Sequence, residues 1–427
     1  MKNKFSFLCT ALLLLALLIP SPVYAATDCT FTVSGKTMRL NASCTTDATI
    51  FIPNGFTLDG RGHTITGVDP AGDHFRGAVV QNGGVTAHVK NLTVTVSGLA
   101  DVCDADVNRL RGILFEAASG SIKNNTVLNI NQGASGCQEG NAIEVRNAPF
   151  DGTHPATKSV KIEGNVVSAY QKTGILANGD VSVSMEDNTV TGLGPVNYIA
   201  QNGIQLGFGA LGKVKENTVS GNVYSPQTFA SGGILLVFAG NGIQVTENEV
   251  DTSDVGIWLN GANSAKVRAN KVTGSAFDGI ALDDSSGNVQ NNLVEKNQVT
   301  NNGTGIGLYG SAATNNLLKS NKATNNLDGF IVAFSATLNT LQSNQALDNA
   351  NDGILIESDS NTISKNRAFG NGTLDIENSG SNTYSGNQCG TSSGPPVDCP
   401  VANDDLSFSS TQLKAQTGFR AVSAPFE

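Results

Sequence analysis

Five stretches share one pattern: GIWLN at Gly256–Asn260, DGIALDDSS at Asp278–Ser286, TGIGLYGS at Thr304–Ser311, DGFIVAFSA at Asp328–Ala336 and DGILIESDS at Asp352–Ser360. Their central apolar residues are Ile257, Ile280, Ile306, Phe330 and Ile354, at steps of 23, 26, 24 and 24 residues. A second register runs beside them and ends in asparagine: Asn270, Asn297, Asn321, Asn344, Asn366 and Asn387, at steps of 27, 24, 23, 22 and 21. Two ladders at one period predict a solenoid, because one such repeat cannot bury its apolar face without a neighbour.

The pattern extends toward the N-terminus. Ile234, Ile204, Ile175, Ile143, Ile113 and Val79 align with Ile257, at steps of 23, 30, 29, 32, 30 and 34. Asn248, Asn217, Asn188, Asn165 and Asn125 continue the other ladder. Roughly a dozen coils at a spacing of about 4.8 Å make a rod about 55–60 Å long. Each coil reads as three short strands. Ile113, Phe115, Ile143, Val145, Ile204, Leu206, Ile257 and Leu259 are expected to point inward and stack on their equivalents. The glycine before the first apolar residue permits a tight corner. The ladder asparagines are expected in the left-handed conformation, hydrogen-bonded along the stack. Helical periodicity is absent.

IPNGFTLDGRGHTITGV, residues Ile52–Val68, resembles the first full coil of the pectate-lyase-like right-handed parallel β-helix proteins. The later coils resemble the short repeats of the NosD-like branch. The resemblance covers about residues 50–390. It implies an all-β chain, a single right-handed parallel β-helix, and the usual hand of parallel crossovers agrees. It says little about activity, because the fold hosts lyases, hydrolases, epimerases and non-enzymes. Weak alternation in TFTVSG and TIFIP predicts an N-terminal cap over residues 27–50, ahead of a β-helix over 51–400. Residues 401–427 lose the repeat and read as a tail or cap.

Composition agrees with a solenoid. Only 15% of residues are charged and 6% aromatic, against 48 glycines, which suits turn-rich coils better than an α/β enzyme. Residues 1–26 read as a signal peptide, with Lys2 and Lys4 before the apolar run Ala11–Ile19 and a Val23-Tyr24-Ala25 cleavage signature. Its removal takes 26 basic residues to 24 against 36 acids, a net charge of −12. That balance argues against nucleic acid or an anionic membrane as partner. No later stretch is long and apolar enough to span a membrane. The expected setting is secreted, cell-surface or periplasmic, as a monomer. Cys9 leaves with the leader. The other six fall into close pairs, Cys29 with Cys44, Cys103 with Cys137 and Cys389 with Cys399, and local disulfides are the expected set among fifteen possible.

Steps of 29–34 residues before Ile234, against 23–26 after it, put extra loops on the N-terminal half. These are Leu99–Arg109, Asn131–Gly140, Ala148–Thr157, Gly192–Ala200 and Val223–Ala230. Loops on a rigid scaffold are where binding and chemistry usually sit. Beside them the alignment gathers Glu116, Glu144, Arg146 and Arg111 on one face of adjacent coils. In a chain poor in charge this group is either a surface ion-pair ladder or a carbohydrate site. As an enzyme it has two forms. Glu116 and Glu144 could be the paired carboxylates of a glycosidase. Or a base drawn from Arg111, Arg146, Lys172 and His154 could remove the proton α to a uronate carboxylate, the lyase and epimerase logic that the resemblance implies. Trp258 is either a sugar-stacking platform or a cover for apolar surface. Gln205, Lys172 and His154 complete the expected substrate contacts. Asp101, Asp104 and Asp106 crowd one loop and suggest Ca²⁺. A second loop cluster, Asp69, Asp73, His74 and Arg76, reads as solvated. Asp283-Asp284 looks like the paired aspartates of polygalacturonases, but the N-T-D, G-H-G and R-I-K motifs of that family are absent, as is the D-P-H of alginate epimerases. The expectation is therefore an exported β-helix that recognises or processes an extracellular polysaccharide. The alternatives are a non-catalytic scaffold or an accessory factor for metal-site maturation of the NosD-like type.

Overall fold

The structure, a computed structural model, describes residues 27–150, 158–333, 335–394 and 399. The stretches expected to be a leader (1–26) and a tail (401–427), and His154, lie outside the described residues.

Three long sheets wrap one apolar core. The first, of 14 strands, carries the isoleucine column and runs from Ile50–Ile52 to Ser392–Ser393. The second has 15 strands and the third 14. The chain returns to the same sheet once per coil, three strands on through most of the rod and four where the extra short pair Val289–Gln290 and Ala313–Thr314 is inserted, and pairs in parallel one coil below, as Arg111–Glu116 does with Asn141–Asn147. One antiparallel pair stands at the start, Phe31–Ser34 with Thr37–Leu40. The only helix among the described residues is the 3-10 turn Asp106–Asn108.

The core forms because apolar residues alternate along each strand and then repeat at the coil period. Ile113, Ile143, Ile175, Ile204, Ile234, Ile257, Ile280, Ile306, Phe330 and Ile354 pair in register down one column. All are wholly buried. The column differs from its predicted path at one place: Val80, not Val79, lies under Ile113. Two adjacent valines gave pattern reading no way to choose, and both are buried.

The asparagine ladder forms, with one correction. Asn125, Asn165, Asn188, Asn217, Asn248, Asn270, Asn297, Asn321, Asn344, Asn366 and Asn387 stack between the second and third sheets. From Asn165 on, each side-chain carbonyl accepts both the backbone N–H and the Nδ2 of the asparagine one coil below, as Asn297 Oδ1 does from Asn270 at 2.9 and 2.9 Å, while Asn125 Oδ1 accepts from the Leu92 N–H. The left-handed residue is the one before each ladder asparagine: Glu247 (φ 60°), Ala269 (54°), Lys296 (57°) and Ser320 (56°) among them. The asparagine closes the corner through its side chain, and its predecessor makes the turn. In the C-terminal coils two more ladders appear, Asn292–Asn316–Asn339 and Asn302–Asn326–Asn349–Asn371. Every corner of those coils is therefore tied.

The local disulfides form: Cys29–Cys44, Cys103–Cys137 and Cys389–Cys399. The loop expected at Gly192–Ala200 is in part strand. Gly194–Val196 extends the third sheet by pairing with Asn222–Tyr224 after a bulge. Among the described residues no helix is long and apolar enough to cross a membrane.

Candidate functional site

The four charged residues singled out from the sequence do meet on the outer side of the first sheet. Register places Glu116 against Arg146 and Leu114 against Glu144. Arg111 Nε donates to Glu144 Oε2 at 2.5 Å, Arg146 Nε donates to Glu116 Oε2, and Arg146 Nη1 lies 3.9 Å from Glu144 Oε1. The network is largely sunk. Arg111 is 1% exposed and Glu144 3%.

Arg111 spends its remaining donors on backbone carbonyls of the loop before it, those of Asp106, Val107 and Arg109. Glu139 ties the same loop from the other side, accepting from the N–H groups of Asp104 and Leu110. Burial would raise the Glu144 pKa. The Arg111 charge and hydrogen bond, with Arg146 and Asn141, outweigh it and hold the carboxyl below its ordinary value. A glycosidase acid needs the opposite shift.

Glu116 has a second task. Its Oε1 accepts the N–H of Ala148 at 3.2 Å, and two residues on stands Phe150. The Phe150 ring lies over Gly179 of the next coil, where an added Cβ would sit 2.7 Å from it. It stacks on Phe208 one coil further, with centroids 5.7 Å apart and planes at 16°. Phe208 in turn meets Phe238 at 5.8 Å and 33°. Phe208, between the other two rings, is half-buried. Phe150 is 41% exposed and Phe238 44%. Together with Pro149, Gly179, Asp180 and Gly209 they line a groove of about 500 Å³.

Phe208 and Phe238 stand four residues after Ile204 and Ile234, at the corner between the first and second sheets. Both are left-handed, at φ 52° and 47°. Three other coils give this corner to Gly179 (φ 81°), Gly261 (77°) and Gly310 (91°), and one gives it to the small Ala117 (48°). A bulky residue there costs about 1–2 kcal/mol. Such cost at an aromatic pair, the half-buried Phe208 and the exposed Phe238, points to a use for the rings. These three phenylalanines were missed in the sequence. The shared offset from Ile204 and Ile234 was the available signal for two of them.

The other expected contacts fare differently. Trp258 faces out of the coil opposite Leu235, but Ala230, Val255 and Phe277 join it in a small apolar cluster and leave it 2% exposed. It covers apolar surface and presents no open face. Gln205 is buried and accepts from Asn202 Nδ2 at 2.9 Å. Lys172, partly covered, donates from Nζ to the Ala200 carbonyl at 2.8 Å, and desolvation pushes its pKa down to about 8. Neither it nor Gln205 lines the phenylalanine groove.

Asp101, Asp104 and Asp106 do not turn their carboxylates to one point. Asp104 pairs with His74 Nε2 at 2.9 Å, and Asp106 serves Arg111 through its backbone carbonyl. Among the described residues the one converging trio of potential metal ligands is Asp28, Cys29 and Cys44, and both sulfurs are in a disulfide. The Asp69–Arg76 loop is internally paired, Arg76 with Asp73 at 2.6 Å.

A second unforeseen pairing lies on the C-terminal half. Tyr309 folds back over Gly307 and donates from its hydroxyl to Asp278 Oδ1 at 2.6 Å. Burial, helped by Asp283, pushes Asp278 up to about 7.

No curated protein sequence matches the chain significantly. Among solved structures it is similar to the periplasmic alginate epimerase AlgG, at 16% identity and TM-score 0.52 over 84% of this chain and 79% of that one. It is also similar to the A-module of the Azotobacter vinelandii mannuronan C-5 epimerase AlgE4, at 13% and 0.42 over 83% and 91%. A GH87 α-1,3-glucanase from Streptomyces thermodiastaticus gives 13% and 0.41 over 83% and 62%. At these identities the likeness is one of fold. The family model described as "Right handed beta helix region" matches residues 111–313 and 255–394, the coils whose columns and ladders are traced above. The chain belongs to the right-handed β-helix family.

Proposed function

We propose that this is an exported polysaccharide-recognition protein and that the Phe150–Phe208–Phe238 groove is where the sugar chain binds. One observation carries the reading: an aromatic stack, exposed at its two end rings, kept at two corners that would be easier to build from glycine. Aromatic faces present apolar surface with a defined geometry, which suits the C–H faces of sugar rings. The rod supplies the rest. Parallel coils hold the rings at fixed spacing, so little is lost to ordering on binding. Glu116 and Arg146 act as positioning residues, fixing the Ala148–Phe150 turn from beneath. Three disulfides and the leader-like N-terminus support export.

Recognition is favoured over turnover at this face. Its carboxylates are neutralised by arginines, and Glu144 is held ionised. A lyase, epimerase or hydrolase step on the same glycan would need a group outside this cluster.

The test is glycan-array and calorimetric binding with Phe208→Gly and Phe238→Gly. These install the residue that neighbouring coils use, so both variants should keep the fold. We expect at least about a tenfold loss of affinity with a melting temperature near that of the unaltered protein. Unchanged affinity in both variants, or no glycan bound by the unaltered protein, rejects the proposal.

A further inference from the structure

The second sheet carries another groove, of about 480 Å³, that the aromatic site does not touch. Its lining includes Thr57, His88, Lys90, Asn91, Ser121 and Lys123. Register explains the assembly. Thr57, His88 and Ser121 occupy one outward column on three successive coils, and Asp59, Lys90 and Lys123 occupy the next outward column two residues on. His88 Nδ1 and Ser121 Oγ are 2.9 Å apart.

The charge pattern is the informative feature. The chain as a whole is strongly acidic, yet this lining holds two lysines and a histidine and no carboxylate. Carboxylates flank the lysines at the two ends of that column: Asp59 is 3.4 Å from Lys90 Nζ, and Glu163, one coil beyond Lys123, is 3.0 Å from Lys123 Nζ. Glu163 is shared with Lys161, also at 3.0 Å. The Lys90 and Lys123 side chains stay 46% and 37% exposed, with donors left for an incoming group. An ammonium carries three donors, and one salt bridge does not exhaust them.

We infer that this groove binds an oxyanion carried on a glycan, either a uronate carboxylate or a sulfate ester. Lys90 and Lys123 supply charge, and Ser121 and His88 supply hydrogen bonds from one side. The inference stands apart from the aromatic groove, which uses other residues on another edge of the rod.

Three probes decide it: a uronic-acid oligosaccharide, a sulfated neutral oligosaccharide and the same neutral oligosaccharide without sulfate. They are titrated into the full-length protein at two salt concentrations. We expect the first or second to bind and the third to bind at least about tenfold more weakly. Binding should weaken with salt. Lys90→Ala with Lys123→Ala should cost about tenfold or more. Lys319→Ala, which removes an exposed lysine from the same sheet outside the groove, should cost nothing. Which of the two anionic probes binds identifies the source of the charge. Equal binding of all three probes, binding of neither anionic probe, or full affinity in the double variant with native melting overturns the inference. In Phe208→Gly the preference for the anionic over the neutral probe should persist even where total affinity falls, which separates failure of this inference from failure of the aromatic reading.

Discussion

A single asparagine side chain does the work of a corner. Asn297 Oδ1 accepts two hydrogen bonds from Asn270, while its Nδ2 donates to Val267 O at 3.0 Å and to Asn321 Oδ1 at 2.9 Å. All these groups are buried, so removing the side chain leaves partners unsatisfied on two coils. Asn297→Ala should cost about 2–4 kcal/mol in urea unfolding. Alanine at an exposed corner residue should cost far less. Arg111 is a different case, because it is an anchor with a charged partner. Arg111→Ala would strand the Glu144 carboxylate in a dry site and release three loop carbonyls. We expect a loss of about 3–5 kcal/mol and faster amide exchange over residues 104–110. Arg111→Ala paired with Glu144→Leu should recover part of that loss. At this scale the sequence told much about the core and less about the site. Glu116, Glu144, Arg146 and Arg111 were found because they share a register. Phe150 was not, because it leaves its coil, crosses above Gly179 and meets a ring two coils away.

An element in this fold is a strand pinned between two copies of itself, and its tolerance depends on that confinement. Gly120, in the strand Ser119–Lys123, has φ 145°, and a Cβ built there would lie 1.8 Å from the Ala87 carbonyl oxygen of the strand below. Backbone cannot move aside as a side chain can. Gly120→Ala should therefore part the two strands and lower stability by about 3 kcal/mol or more, read as an earlier first transition on heating. The same strand carries Ser121, so the oxyanion groove should weaken with it. Strand identity and order were legible from period and alternation. The extension of the third sheet through Gly194–Val196 was not. A bulge shifts the register, and a glycine–proline stretch reads as loop.

At the scale of the rod, charge is laid out unevenly. Toward the C-terminal end the outer side of the first sheet carries Asp278, Asp328, Asp352 and Glu357, for none of which an arginine ion pair forms among the described residues. Burial pushes Asp278 up to about 7 and Asp352 to about 6, and raises Asp328 and Glu357. Asp254 is likewise pushed to about 6. An unfolded carboxyl titrates near 4. Between about pH 4 and pH 7 the folded chain therefore holds protons that the unfolded chain has released. Stability must fall as pH rises through that window. Melting should occur at higher temperature at pH 5 than at pH 8, with Asp278→Asn flattening part of the difference. A melting point that rises from pH 5 to pH 8 would contradict this account. The two halves also differ in kind, one carrying loops and the other nearly bare. In the bare half every corner is tied to the same corner one turn on, so each turn is a spare part for the next. Excising residues 297–320, a block of 24 that separates two bonded ladder asparagines, would join Lys296 to Asn321 and leave the stack continuous. The rod's reach is then a dial that duplication or loss of whole turns can set without redesigning either end.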